Sequence, residues 1–88
     1  MTIIVKNMSA ETNEFTVESI FSRFGEVDSA RVIYDRHTNE SKGIAFVEMA
    51  DEDQAKKAIK TLNESTLEGN VIEVAEAEDR SKKFKIRF

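Results

Sequence analysis

The stretch SKGIAFVEM, residues 41–49, holds the residues best suited to chemistry in this chain, and that chemistry is non-covalent. Along a strand, successive side chains point to opposite faces. Lys42, Ile44, Phe46 and Glu48 therefore share one side, and Ala45, Val47 and Met49 the other. One side belongs to a core. The opposite side shows large apolar groups to water, so either something covers it or something binds it. Covalent chemistry has little raw material: the sequence has no cysteine and one histidine, His37, in the polar run RHTNESK. Thiolate metal sites, disulfides, and Cys/His or Ser/His nucleophiles thus have almost no residues to draw on. The adjacent acids Asp51, Glu52 and Asp53 read as the capped, dipole-complementing start of a helix and not as a metal cage. No catalytic residue, metal or cofactor is expected.

The elements that must position this strand follow from periodicity. TIIVK is a short β-rich run with Ile3 and Val5 on one face and Ile4 and Lys6 on the other, ended by NMSAETN. From an N-cap at Asn13, residues Val17, Ile20, Phe21 and Phe24 recur at helical spacing, with Gly25 where a C-terminal cap is expected. VDSARVIYD alternates as a second strand, and RHTNESK joins it to the third as a hairpin. Asp51 and Gln54 resemble a capping box ahead of a second helix whose stripe is Ala55, Ala58, Ile59 and Leu62. NESTLEGN is turn-rich, and VIEVAEA is a last strand with Ile72 and Val74 inward and Glu73 and Ala75 outward. The order βαββαβ predicts an α+β, ferredoxin-like sandwich: a four-stranded antiparallel sheet with two helices on one face.

Eighty-eight residues with 40% hydrophobic content suit one domain with a modest core. The net charge of −4 hides an asymmetry: residues 1–79 hold 8 Lys/Arg against 17 Asp/Glu, a balance of −9, whereas residues 80–88 hold 5 Lys/Arg and no acid. An acidic body argues against strong nonspecific binding of nucleic acid, which draws mainly on cations. No apolar run approaches the roughly 20 residues of a membrane span, and the N-terminus lacks a signal-peptide pattern. A cytoplasmic protein without a membrane partner is expected.

KGIAFVEM resembles the octamer of the RNA-recognition motif family, [K/R]-G-[F/Y]-[G/A]-[F/Y]-V-x-[F/Y], agreeing at Lys42, Gly43, Ala45, Phe46 and Val47. IIVKNM resembles the family's hexamer at Ile3, Val5 and Asn7, and the similarity runs over residues 2 to 79. The overall pattern is most similar to small stand-alone members with a single such domain. The resemblance implies binding of single-stranded RNA on the sheet by three stacking aromatics, at positions held here by Ile4, Ile44 and Phe46. Two of the three aromatics are replaced by isoleucine, so weak binding is expected. The RNA-binding residues implied are Ile4, Lys6, Arg31, Ile33, Lys42, Ile44, Phe46, Glu73 and Ala75. The alternative is a protein-interaction or self-association module, a partner or second copy docking on the apolar sheet face or the tail. Enzymes of the same fold fit poorly, since KNMSAET lacks the arginine of an acylphosphatase phosphate loop.

The division expected is a domain over 1–79 and a basic tail over 80–88. In KKFKIRF, Phe84, Ile86 and Phe88 alternate with Lys83, Lys85 and Arg87, a period of two that suits a strand with one apolar and one basic face. Such a tail would cover the sheet, extend an edge, or meet RNA phosphates.

Overall fold

The computed structural model describes residues 1–77. The alternating tail over 80–88, and the boundary placed at residue 79, lie outside the described residues. Alternation at Ile3 and Val5 becomes strand β1 (Thr2–Lys6), followed by helix α1 (Glu14–Ser22), strands β2 (Ser29–Tyr34) and β3 (Ser41–Glu48) and helix α2 (Glu52–Leu62). A small hairpin of β4 (Thr66–Leu67) and β5 (Asn70–Val71) precedes β6 (Glu73–Glu76). The main sheet has the order β2-β3-β1-β6 with every pair antiparallel. This is the ferredoxin-like α+β arrangement, with the hairpin inserted before the last strand.

Both helices start on side-chain caps. The Asn13 side chain accepts from the Thr16 backbone N–H at 3.0 Å and that of Asp51 from the Gln54 N–H at 2.9 Å, each satisfying a donor that the first turn leaves free. Val17 and Phe21 of α1 and Ala55 and Ala58 of α2 are buried against Ile3, Val5, Ala45, Val47 and Val74, so both helices cover the same face of the sheet. Ile20, Phe24, Ile59 and Leu62 pack around that cluster while partly exposed. Full burial of a side chain such as Val17 or Phe21 contributes about 1.5–3 kcal/mol.

Two details differ from the sequence expectation. Helix α1 ends at Arg23, whose φ of −66° is right-handed, so Gly25 is not its left-handed cap. Gly25 instead allows close approach: a Cβ there would run into the Gln54 side chain, 3.0 Å from its Cβ. The turn-rich run before the last strand is itself a hairpin, with Glu68 and Gly69 both at positive φ, 48° and 90°. Two consecutive left-handed residues suit the right-handed twist of a tight hairpin. Accordingly the last strand of the main sheet begins at Glu73, after the hairpin.

Candidate functional site

The register of the sheet decides which of the expected site residues meet. Ile4 lies opposite Phe46 on one side and Ala75 on the other, and Phe46 lies opposite Arg31. Arg31, Phe46, Ile4 and Ala75 thus form one row across all four strands, on the face turned away from the helices. Below it Lys6 pairs with Glu73, an exposed cation facing an exposed carboxylate. Above it Glu48 stands between Thr2 and Ser29. Ile4, Ile33, Ile44 and Phe46 are partly buried, whereas Arg31, Lys42 and Lys6 are exposed. Side chains next to one another across an antiparallel pair are within contact distance. Among the described residues the face therefore offers an apolar centre holding the Phe46 ring, bordered by cations and by the carboxylates of Glu48 and Glu73.

Strand β3 reaches this geometry through an irregularity at Gly43. Its φ is +74°, and a Cβ would sit 2.8 Å from the Met8 carbonyl oxygen, so only glycine fits without displacement. The Gly43 carbonyl accepts from the Met8 N–H at 3.0 Å, tying β3 to the end of β1. Pairing with β2 shifts at the same place, between Val32 and Tyr34, which puts Ile33, Lys42 and Ile44 around a bulge. Beyond it the loop closes on Asp35, whose carboxylate accepts from the backbone N–H groups of His37 at 2.8 Å and Thr38 at 3.1 Å. Those two bonds, with Lys42 nearby, hold the Asp35 carboxyl below the usual carboxylate range. His37 enters this turn through its main chain, and its side chain is exposed.

The β4–β5 hairpin buttresses the other end of the sheet. Asn7, at φ +63°, donates its side-chain amide to the Val71 carbonyl at 2.7 Å, and Asn70 donates to the Asn7 carbonyl at 3.1 Å. Thr12, buried, donates its hydroxyl to Glu68 at 2.7 Å. Asn7 is therefore a turn residue that also fastens the hairpin beside Lys6 and Glu73. Asp51 and Glu52–Asp53 stand at the start of α2, where Asp51 is the cap.

Thr2 and Glu48 lie on the open face, as strand alternation expects for Glu48, but stand outside the RNA-binding residues that the resemblance implies. Thr2 donates its hydroxyl to the Glu48 carboxylate across the β1–β3 pair, which fixes an acceptor next to Phe46. The spacing of Glu48 two residues after Phe46 was visible in the sequence, but its partner was not.

The sequence model of the RNA recognition motif family matches residues 3–73. The 31 kDa chloroplastic ribonucleoprotein of Nicotiana sylvestris is 43% identical over 81 residues, covering 92% of this chain and 26% of that protein. The chain spans about a quarter of the length of the first curated relatives it matches. The crystal structure of RNA binding protein PG1 superposes with a TM-score of 0.87 at 40% identity, over 91% of this chain and 96% of that one. An SXL-lethal protein/RNA complex superposes with a TM-score of 0.83 at 27% identity, over 89% of this chain and 47% of its own. With the family pattern matched across most of its length, and its two motifs side by side on the central strands β1 and β3, the chain belongs to the RNA recognition motif family.

Proposed function

We propose that the open face of the sheet binds single-stranded RNA. Phe46 stacks on one base, Ile4, Ile33 and Ile44 supply apolar contact, and Lys6, Arg31 and Lys42 meet phosphates and base edges, with Glu73 and Ala75 bordering the path on β6. The observation that carries this reading is the row Arg31–Phe46–Ile4–Ala75, which sets a cation and an aromatic ring side by side on the face that the helices leave free. Similarity to an RNA binding protein and to a protein of a protein/RNA complex supports it. Stacking is worth about 1–3 kcal/mol per base, so replacement of two ring positions by Ile4 and Ile44 keeps the affinity low, in the micromolar range or weaker. Binding, and not catalysis, is the function in this reading, and cytoplasmic RNA is the target. A basic tail over 80–88 adds phosphate contacts to a domain over 1–79.

The test is an NMR titration of the full chain with a randomised pool of short RNAs. Amide shifts concentrated on β1 and β3, including Phe46, are expected. Shifts confined to α1 and α2 would move the site to the other face, and cell fractionation of the tagged protein checks the compartment.

A further inference from the structure

We propose, resting on the RNA-binding reading above, that Glu48 is a specificity-determining residue that selects guanine as the base stacked on Phe46. Phe46 and Glu48 are two residues apart on one face of β3, about 7 Å along the strand, so a base lying on the ring presents its edge toward the carboxylate. Thr2, directly opposite Glu48 in the register, donates its hydroxyl to Oε1, which turns the carboxylate across the sheet instead of leaving it to sweep solvent. The Glu48 side chain is partly buried. Among the described residues, the Thr2 hydroxyl on Oε1 is the side-chain bond this carboxylate accepts, and an ionised carboxylate only accepts hydrogen bonds.

That requirement sorts the four bases. Guanine alone carries two adjacent donors, N1–H and the 2-amino group, on its Watson–Crick edge, matching the two oxygens of one carboxylate. Adenine and cytosine set a ring-nitrogen acceptor beside their amino group, and uracil flanks its single N3–H with two carbonyls. Each of those three therefore brings an acceptor against the Glu48 oxygens. A carboxylate on a surface that meets phosphates also weakens binding unless a donor pairs with it, and guanine supplies that pair. Charge-assisted hydrogen bonds of this kind are shorter and stronger than neutral ones.

The experiment is fluorescence-anisotropy titration of the full chain with short uridine-rich oligomers that carry one central G, A, C or inosine, and an all-uridine control. The G oligomer is expected to bind about fivefold to 150-fold more tightly than the A and C oligomers, with inosine, which lacks the 2-amino group, in between. Glu48→Gln, which puts a donor beside the acceptor, is expected to abolish the preference. Thr2→Val, which removes the positioning hydroxyl, is expected to reduce the ratio of G to A affinity. Equal binding of all the oligomers by the native chain overturns the role of Glu48 and leaves RNA binding intact. A uniform gain in affinity for Glu48→Gln overturns it too, since Glu48 then acts only as a repelling charge. No binding to any oligomer or to a randomised pool overturns the RNA-binding reading beneath it. The inosine comparison needs no variant and stands even if a substitution impairs folding.

Discussion

Both faces of β3 carry apolar side chains, but the helices cover only one of them. Ala45 and Val47 are fully buried against the helices, while Ile44 and Phe46, one residue away, are only partly buried on the open side. Nothing in the hydrophobicity of Ile44 or Phe46 separates them from a core residue; the difference lies in parity along the strand. A one-residue slip would exchange the two sets. Gly43 guards against such a slip, since its left-handed backbone and its contact with Met8 pin where the alternating run begins. The lesson is that on this sheet the same apolar character is buried or left open according to register.

Substitutions on the two faces should therefore have separable effects, and the largest is expected on the core side. Phe21→Ala empties a fully buried position and should cost about 3–5 kcal/mol of stability in chemical denaturation. A loss below 1 kcal/mol would mean that α1 does not seal this face. On the open side, Ile4→Phe with Ile44→Phe should keep the melting temperature and raise RNA affinity by roughly tenfold to a thousandfold, by restoring two stacking rings. A large drop in melting temperature without a gain in affinity would show that those residues serve the core.

Phe46→Ala probes the same face from the opposite direction. Binding should weaken by about 1–3 kcal/mol in a titration with short RNA while amide exchange in the helices stays unchanged. The smallest effect is expected in the loop between β2 and β3. Asp35 has a lowered pKa because its charged form accepts two backbone N–H bonds, from His37 and Thr38, with Lys42 nearby. For a carboxylate with a depressed folded pKa, the stabilisation is complete above the ordinary value of 3.8 and disappears as pH falls through the lower, folded value. Loop amides of His37 and Thr38 should accordingly hold their shifts at neutral pH and titrate with a midpoint below 3.8. A midpoint above that figure would contradict the capping role.

Local sequence determined a good deal of this protein. Period-two alternation at Ile3/Val5 and Ala45/Val47 assigned the strand faces, helical spacing at Val17/Phe21 and Ala55/Ala58 assigned the helix faces, and Asn13 and Asp51 marked the helix starts. Each of these signals spans only a few residues, because side-chain direction and cap geometry are set by the backbone within a turn or a pleat. Lys42-Gly43 likewise announced the entry to β3. What local signals could not carry is which distant residues become neighbours. The row Arg31–Phe46–Ile4–Ala75, the hydroxyl of Thr2 on Glu48, the seating of Gln54 over Gly25 and the fastening of the β4–β5 hairpin by Asn7 all join segments far apart in the chain. Those contacts depend on strand order and register, which the packed sheet as a whole selects. Tertiary structure therefore decided that Arg31 and Ile4 flank Phe46 and that the Thr2 hydroxyl meets the Glu48 carboxylate on that surface.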